Sequence, residues 1–565
     1  MSQELLRTAL ERALAEMGVP DQELRFERPR DPTHGDLATN VALTLAGRLG
    51  RPPRVIAQEL IERIDLPADT IESVEIAGPG FLNFRFGSAE LAQELKEILD
   101  GDKQFGRATT GKGERVMVEF VSANPTGPLH LGHGRQAALG DAIASLLEWN
   151  GWKVQREFYY NDAGLQMDRL AHSVWARYHQ VLGRPEPVRE DGYHGQYVMD
   201  IAQAFHKQVG DLYEGIASSE ALNAMRRFAV EVIRKEQDED LQEFGVLFDE
   251  YYLESSLYTD GRVKETIRRL RDTGLVYEEG GAVWLKTTEF GDQKDRVMVK
   301  SDGSPTYFLP DVAYHLAKWE RGFKHAINVQ GSDHHGTVAR VHAGLQALGL
   351  PAGYPEYVLH QMVTVEREGE EVKLSKRAGS YTTLRALIDE VGADVTRYFF
   401  QMRKPDAHLV FDLDTALDRS EKNPLFKVQY AHARMCSVFA KAEVDPQTVT
   451  GEAVDLGRLK AQSERELVRQ LGEFPEVVAR AAEQRAPHVL CDYLEKTAGA
   501  VNSWYHSGNP SRNPELAVLV DDPALRGARL ALTRAVQVVL RNGLWILGLS
   551  APERMEREDA ESGPS

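Results

Sequence analysis

The sequence predicts a multidomain α/β protein built around a doubly wound, Rossmann-type sheet. Arg115–Val121 is a compact apolar strand, His130–Asn150 has helical periodicity after a turn, and Val154–Tyr160 is a second strand. This order is how a parallel α/β sheet begins. The first hundred residues mix helical and alternating patterns, and after about residue 384 the chain is almost wholly helical. The chain is therefore expected to carry separate domains on both sides of the sheet.

The N-terminal part predicts a small α+β domain at residues 1–105. Residues 3–18 and 36–63 carry apolar side chains at helical spacing. Residues 71–86 alternate like two strands, and Gly78-Pro79-Gly80 interrupts the alternation as a turn would.

The rest of the chain predicts three further units. The central domain is expected to continue with helices over residues 164–245, followed by short strands at 282–285, 297–299 and 326–329. The long helices of the C-terminal bundle are expected at 423–442, 458–482, 486–507 and 524–548. The expected boundaries are 110–385 for the Rossmann-type domain, 386–425 for a connecting helical stem and 426–565 for the all-helical bundle.

Composition and charge argue against several classes of protein. The formal net charge is −19, which is unlike a nonspecific nucleic-acid coat protein, although one basic face is compatible with it. The two cysteines, Cys436 and Cys491, lie far apart and give neither a disulfide framework nor a zinc knuckle. Residues 1–4 do not resemble the start of a signal peptide, and no apolar run reaches the roughly 18 residues of a membrane span. A cytoplasmic protein without a membrane partner is expected.

The most informative segment is Glu119–His133, which covers a predicted strand end, a turn and a helix start. Doubly wound sheets bind nucleotides at this position, and a helix N-terminus offers free N–H groups to a phosphate. Gly127 and Gly132 lack a Cβ and let a ligand come close. His130 and His133 can both reach one phosphate and stabilise charge that develops there. Helix-capping or surface histidines are the alternative, and a zinc site would need ligands that no cysteine pair supplies.

His130-Leu131-Gly132-His133 resembles the HIGH signature of class I aminoacyl-tRNA synthetases. Lys373-Leu374-Ser375-Lys376-Arg377 stands downstream, where this class carries its KMSKS signature. A lysine-rich pentapeptide alone is usually a solvated loop, but the two signatures in this order favour the class. The resemblance implies that the two histidines, Lys373 and Lys376 are catalytic. The leucine and arginine of the second segment depart from the consensus, and the charge argument does not depend on them.

Within this class, the residues that would bind the amino-acid side chain resemble those of the arginyl-tRNA synthetases. A guanidinium is best met by carboxylates and amides in bidentate geometry. Glu119, Ser122 and Asn124 precede the HIGH-like helix, and together with Tyr307 and Asp311 they are similar to the arginine-binding positions of that family. The resemblance implies that Asp311 pairs with the guanidinium, with a helix N-cap as the alternative role.

The resemblance also implies a nucleotide site for ATP, with Mg²⁺ on the ATP phosphates. Asp333-His334-His335 could suggest a bound metal, but adjacent histidines point different ways on most backbones, so no metal-binding residue is predicted. The nucleotide-binding residues that the resemblance implies are Gly127, Leu131, Gly132, Gly331, Asp333, His334 and Ser375.

The expected partners are L-arginine and tRNA(Arg), with tRNA needed for the activation step. His34–Asn40 resembles the extra tRNA-contacting domain of the family, and Asn423–Arg434 resembles a DALR-type anticodon-binding domain. Tyr430 and Trp504 could stack on RNA bases, although a helical aromatic residue is more often in the core. The family suggests a monomer.

Three rival functions remain open at this point. A synthetase for another amino acid, such as glutamate or glutamine, would want a cationic recogniser in place of the two acidic residues. A noncatalytic RNA-binding relative would be expected to lack a signature histidine or lysine, and none is missing. A small adenylyltransferase would not need the C-terminal bundle.

Overall fold

The computed structural model describes residues 2–29, 34–67, 69–162, 164–215, 217–374, 381–452, 454–509 and 511–555. Three residues of the second signature, Ser375, Lys376 and Arg377, lie outside these ranges. No helix within them is long and apolar enough to cross a membrane.

The N-terminal unit is an antiparallel sheet surrounded by helices, as the sequence predicts. Its elements are α1 (Ser2–Glu16), β1 (Phe26–Glu27), β2 (Leu37–Thr39), α2 (Val41–Leu49), α3 (Pro53–Arg63), β3 (Ile71–Ala77), β4 (Phe81–Phe86) and α4 (Ser88–Gly101). The strand order is β1-β2-β4-β3. Leu6, Leu10 and Leu14 lie four residues apart on α1 and are fully buried. Pro53 begins α3, where its missing N–H would have no helical partner.

The central unit alternates strands and helices. Its elements are β5 (Arg115–Glu119), α5 (Leu131–Trp149), β6 (Lys153–Tyr160), α6 (Leu165–Val181), α7 (Gln196–Val209), α8 (Ser219–Glu243), β7 (Glu250–Leu253), α9 (Glu254–Thr259), α10 (Arg262–Asp272), β8 (Val276–Glu279), β9 (Ala282–Leu285), β10 (Arg296–Val299), α11 (Phe308–Glu320), β11 (His325–Gly331), α12 (His335–Ala347), β12 (Glu356–His360), β13 (Val363–Arg367), β14 (Glu370–Glu371), α13 (Leu384–Val391), α14 (Ala393–Gln401), β15 (Leu409–Asp412) and α15 (Leu413–Leu417).

Five parallel strands form the central sheet, in the order β12-β11-β5-β6-β7. Numbered by their order along the chain, these strands read 5-4-1-2-3, so the order reverses between β5 and β11. Open α/β sheets bind ligands at such a reversal, beyond the carboxyl ends of the strands. At this edge Glu119 of β5 pairs with Asn328 of β11. The predicted fold class is confirmed.

Two of the predicted strands belong to a different sheet. β9 and β10 match the strands predicted at 282–285 and 297–299, but with β8 they form a separate antiparallel sheet. The strands β7, β12 and β13 were not predicted from the sequence. These strands have only four or five residues each and include charged or hydroxyl side chains, so they show little apolar alternation.

Helices α6, α7 and α8 form an inserted unit between β6 and β7, within the region predicted to be helical. The unit buries an apolar core of its own, which includes Leu170 and Phe205. The hydroxyl of Tyr197 on α7 donates to the Thr126 carbonyl, 2.8 Å away in the turn after β5. The inserted unit is thereby fixed beside the carboxyl edge of the sheet.

The C-terminal unit is helical, with one difference from the prediction. Its helices are α16 (Pro424–Ala442), α17 (Gln462–Gly472), α18 (Phe474–Glu483), α19 (Pro487–Ser507) and α20 (Pro523–Ile546). The single helix predicted over 458–482 is two helices, because Pro475 is tolerated in the first turn of α18 but not inside a continuous helix. The predicted helical stem also contains β15, which pairs in parallel with β13.

Close packing of α5 against the chain after β5 depends on a glycine. A Cβ on Gly140 would lie 2.2 Å from Cγ of Phe120. Gly140→Ala is therefore expected to lower the free energy of unfolding by about 1–3 kcal/mol, although alanine favours helices. Thermal denaturation measures this, with Gly47→Ala on α2 as the control, since nothing lies within 4 Å of a Cβ there. Equal melting temperatures for the two variants would contradict the packing argument.

Candidate active site

The turn after β5 brings two histidines together at the start of α5. His130 is the N-cap residue, and its Nδ1 accepts the His133 backbone N–H at 3.3 Å. In return His133 Nδ1 accepts the His130 backbone N–H at 3.3 Å, and the two rings stack with centres 3.6 Å apart. The capping role considered for these residues is therefore real. It uses only the Nδ1 atoms and leaves both Nε2 atoms for a ligand.

Both imidazoles are held neutral with the proton on Nε2. A ring nitrogen that accepts an N–H carries no proton itself. Burial lowers the pKa of His130, although the charge of Asp333 opposes this. Burial, with the neighbouring His130 and His360, holds the pKa of His133 well below its usual value. Each ring therefore supplies one Nε2–H donor, which suits hydrogen bonding to phosphate oxygens.

A third histidine at this edge was missed by the sequence analysis. His360 ends β12 and is buried, and burial lowers its pKa to about 4. A lone histidine at the end of an unrecognised strand gives no usable sequence signal. His360 adds another neutral imidazole beside His130 and His133.

Lys373 is connected to the histidine pair through the backbone around it. The Leu374 N–H donates to Thr382 Oγ1 at 3.2 Å, and the next residue, Thr383, forms an isolated antiparallel bridge with His130. Lys373 itself is exposed. The described start of the second signature segment, Lys373 and Leu374, is therefore tied to the chain beside the first signature.

The other predicted nucleotide-binding residues lie on both sides of the strand reversal. Gly331 closes β11, and a Cβ there would lie 2.3 Å from Oδ1 of Asp333. Gly127 lines a cavity together with the two histidines. Leu131 is buried, and a Cβ on Gly132 would lie 2.9 Å from Cε1 of the first histidine ring. Small residues therefore leave room on both sides of the strand reversal.

His334 lines a different cavity from Gly127 and the histidine pair. It lines the neighbouring cavity that contains the predicted arginine-binding residues. Its Nε2 is 3.6 Å from Oδ2 of Asp333. Within the part of the chain that the structure describes, no group of three His, Cys, Asp or Glu side chains is placed to hold a metal ion.

All five predicted arginine-binding residues line one cavity of about 370 Å³. Glu119, Ser122 and Asn124 enter it from the end of β5, and Tyr307 and Asp311 enter it from α11. Other residues of its wall include Tyr159, Asn161, Glu254, Tyr314, His315 and Arg340.

Helix α11 supplies one wall of this cavity through residues at helical spacing. Tyr307, Asp311, Tyr314 and His315 are four, three and one residues apart along the chain and all line it. Tyr307 is the N-cap residue of α11 and Asp311 lies in the first turn. The N-cap role considered for Asp311 is therefore wrong, and its carboxylate is available to the cavity.

Glu119 is held from two sides at the end of β5. Its Oε1 accepts the Ser122 hydroxyl at 2.9 Å, and its Oε2 accepts a hydrogen bond from the ammonium of Lys318. Val121 and Ser122 have φ values of 68° and 42°, a left-handed conformation that is unusual for side chains of this kind. The strain is concentrated where the chain leaves the sheet, as is common at functional sites. The sequence analysis missed Lys318.

Glu254 is the missed carboxylate of the cavity. It directly follows β7 and is buried, and its Oε2 accepts the Tyr159 hydroxyl at 3.0 Å. The sequence signal was an acidic residue after an apolar Tyr-Tyr-Leu run. That run was not recognised as a strand of the central sheet.

The carboxylate-lined cavity is electrostatically suited to a cation. Burial raises the pKa of Asp311 to about 7, with further contributions from Glu254 and Glu119 and an opposing one from Arg340. Burial also raises the pKa of Glu254. Carboxylates with raised pKa values in a cleft are typical of functional sites, and a bound cation would restore their ordinary ionisation.

A second cavity of about 770 Å³ adjoins the first through Asn124, which lines both. Its walls are the turn after β5, the histidine pair and the inserted helical unit. Aromatic rings are prominent among its lining residues, which include Tyr193, Tyr197 and Tyr381. The histidine pair therefore lines the aromatic cavity, which adjoins the carboxylate-lined cavity at Asn124.

Three residues of the flanking segments that were expected to contact tRNA are buried. Trp504 and Tyr430 are buried in the C-terminal unit, so they belong to its core and are not stacking platforms. Asp36 of the N-terminal segment is also buried, where it accepts the Phe86 N–H at 2.6 Å and forms an ion pair with Arg469 of α17. That motif joins the N-terminal unit to the C-terminal helices.

Three family models match the chain in order. Residues 4–86 match the model described as arginyl tRNA synthetase N terminal domain. Residues 94–407 match tRNA synthetases class I (R), catalytic domain, and residues 428–555 match DALR anticodon binding domain.

Individual proteins resemble the chain over nearly its whole length. A Methylibium petroleiphilum protein named arginine–tRNA ligase is 52% identical over 570 residues, covering 98% of this chain and 100% of that protein. A Thiobacillus denitrificans protein of the same name is 51% identical over 559 residues and 98% of both chains. The solved Thermus thermophilus arginyl-tRNA synthetase aligns with a TM-score of 0.76 at 26% identity, covering 98% of this chain and 100% of that one.

Proposed function

The chain belongs to the arginyl-tRNA synthetase family, and from this premise we propose that it activates L-arginine with ATP and transfers it to the 3′-terminal ribose of tRNA(Arg). The observation that carries the proposal is a carboxylate-lined cavity beside two neutral histidines at a helix start. Carboxylates suit a guanidinium, and N–H donors suit phosphates. A glutamate or glutamine substrate would be poorly matched to this cavity.

In the proposed first step, the arginine carboxylate attacks the α-phosphorus of ATP and pyrophosphate leaves. The Nε2–H groups of His130 and His133 donate to oxygens on which negative charge develops. Lys376, with Lys373, stabilises charge on the departing phosphates. These roles need donors and fixed positive charge, and they need no proton transfer by the histidines.

We assign the amino-acid pocket to the smaller cavity. Asp311 and Glu119 pair with the cationic groups of arginine, Tyr307 packs against its side chain, and Ser122 and Asn124 complete the polar wall. Glu254 adds a third carboxylate to this set. The support is that these residues share one cavity while coming from three separate elements of the sheet region.

We assign the nucleotide to the strand reversal between β5 and β11, where Gly127, Leu131, Gly132, Gly331 and Asp333 lie, with Ser375 from the second signature. His334 belongs by position to the amino-acid cavity and would contact the nucleotide only where the two sites meet. ATP enters as its magnesium complex, in which phosphate oxygens supply ligands that Mg²⁺ prefers.

In the second step, the terminal ribose hydroxyl of tRNA attacks the carbonyl of the arginyl-adenylate. We assign the aromatic cavity to the 3′-terminal nucleotide, because unpaired RNA bases stack on aromatic side chains. Its shared residue, Asn124, would place that nucleotide next to bound arginine. The requirement for tRNA in the first step remains a prediction from the family.

The remaining proposals concern organisation and location. We propose four functional regions with the boundaries given above, in which the N-terminal domain and the C-terminal bundle contact tRNA. We also propose a monomer that works in the cytoplasm. Size-exclusion chromatography with light scattering tests the monomer.

Arginine binding is expected to depend on pH through Asp311. The pKa of this group is about 7 in the empty pocket, and a bound guanidinium stabilises the ionised form. Binding therefore releases a proton near pH 7, so affinity is full above that pH and weakens below it by up to about tenfold per pH unit. Isothermal titration calorimetry at pH 6 and pH 8 measures this. Equal dissociation constants at the two pH values would contradict the assignment.

Charging of tRNA tests the overall proposal. Purified protein, ATP and radiolabelled arginine should give acid-precipitable label on tRNA(Arg) and none on tRNA for glutamate. Labelled lysine or glutamate in place of arginine should give none. Failure to charge tRNA(Arg), by protein that is folded, would defeat the proposal.

A further inference from the structure

Lys318 is a buried lysine beneath the amino-acid pocket and belongs to neither signature. Its side chain is fully buried, and its Nζ donates to Glu119 Oε2 and, at 2.9 Å, to Asn328 Oδ1. The ammonium also lies 4.4 Å from the centre of the Tyr314 ring. An uncompensated ammonium in such a place would be costly, so its partners fix its position closely.

Lys318 acts from behind the pocket wall. Glu119 and Tyr314 line the cavity, whereas Lys318 is absent from its lining. It lies on α11 seven residues after Asp311, which is two helical turns along the same face. A substrate in the cavity therefore meets the Glu119 carboxylate and not the lysine.

We propose that Lys318 is a positioning residue for arginine recognition, which fixes the Glu119 carboxylate in the orientation that receives the cationic substrate. This inference rests on the proposed function. Lys318 holds Oε2 and Ser122 holds Oε1, and each carboxylate oxygen keeps a second acceptor direction for the substrate. Preorganisation of this kind strengthens binding because little ordering is left to occur when the ligand arrives.

Lys318 also compensates negative charge at the pocket wall. Three carboxylates, those of Glu119, Glu254 and Asp311, share the cavity wall. Arg340 also lines the cavity and acts on Asp311. Glu119 is more deeply buried than Glu254, and its ion-pair partner is Lys318. The lysine compensates the deepest carboxylate and leaves the other two for the ligand.

The hydrogen-bond partners of Lys318 connect it to neighbouring strands of the sheet. Asn328 of β11 accepts from the ammonium, and its Nδ2 lies 3.5 Å from His315 Nε2. The Tyr357 hydroxyl lies 3.3 Å from the same nitrogen. The lysine is therefore anchored to both β11 and β12 as well as to β5, across the strand reversal where the substrates meet.

The test is Lys318→Met, which keeps the length of the side chain and removes its charge. Calorimetry should give arginine binding weaker by about 10- to 100-fold, with ATP binding changed less than about twofold. Lys324→Met is the matched control, since this exposed lysine follows the same helix and should bind both ligands as the wild type does. Equal losses for arginine and ATP, or no loss for arginine, would overturn the proposal.

A double-mutant cycle separates positioning from structural support. In the Glu119→Gln background, Lys318→Met should change arginine affinity less than about twofold, because the carboxylate that it positions is gone. A loss as large as in the wild type would overturn the proposal. The double variant removes both buried charges and is expected to fold even if Lys318→Met alone does not. If Lys318→Met does not fold, Asn328→Ala is the alternative variant. It should weaken arginine binding by about tenfold and leave ATP binding unchanged.

The same titrations distinguish failure of the inference from failure of the proposed function. Wild-type protein that binds ATP but not arginine would defeat the arginine assignment itself. Wild-type protein that binds arginine, with a Lys318→Met variant that binds it equally well, would defeat only the role of Lys318.

Discussion

Asp311→Asn is expected to weaken arginine binding by about 10²- to 10³-fold, or roughly 3–4 kcal/mol, and to leave ATP binding nearly unchanged. The substitution keeps the shape of the side chain and removes a buried carboxylate that faces the cavity. A guanidinium taken out of water into this cavity would lose its ionic partner on α11. Calorimetric titration of the variant with arginine and with ATP gives the two affinities.

The same substitution is expected to raise thermal stability above pH 7. The folded-state pKa of Asp311 is raised to about 7. Ionisation of this group therefore lowers the free energy of unfolding as the pH rises from the ordinary pKa of an aspartate toward 7, and the full loss is present above pH 7. A site that is costly in the empty protein and useful when occupied is a common trade-off. Asp272→Asn, an exposed position at the end of α10, is the control. Equal losses for arginine and ATP in the Asp311 variant would defeat the pocket assignment.

His133→Ala is expected to lower the rate of arginine activation by about 10²- to 10³-fold and to change tRNA affinity less than about twofold. The variant loses an Nε2–H donor, and it also loses the Nδ1 acceptor that caps the His130 N–H. Single-turnover formation of arginyl-adenylate measures the rate, and a filter-binding titration measures tRNA affinity.

The control for that prediction is His172→Ala, on the inserted helix α6 and outside the cavity lined by the histidine pair. Its activation rate should match the wild type. An unchanged rate in His133→Ala would refute the proposed role. A rate that falls only in proportion to tRNA affinity would also refute it, since that would place the effect in substrate binding.

The sequence was most informative where local patterns determine local structure. The strand before Glu119, the turn with Gly127 and the helix begun by His130 were all predictable, because apolar runs, glycines and helix periodicity act over few residues. The five predicted pocket residues do share one cavity. That convergence depended on family resemblance, since residues 119–124 and 307–311 are far apart in sequence.

What the sequence could not reveal depends on which elements become neighbours. Glu254 reaches the pocket because β7 joins the sheet beside β6, and a four-residue strand has too little periodicity to be recognised. Lys318 was an unremarked charged residue in an amphipathic helix, and its burial follows only from the packing of α11 over β5 and β11. Likewise, Tyr430 and Trp504 could be assigned to the core only after their helices were packed.

The most direct test of the central claim is arginine-dependent ATP–pyrophosphate exchange, run with and without tRNA(Arg) and with other amino acids as controls. The account predicts exchange with arginine alone among the amino acids, and only when tRNA(Arg) is present. No exchange with arginine under any of these conditions, from folded protein that still binds tRNA(Arg), would contradict it.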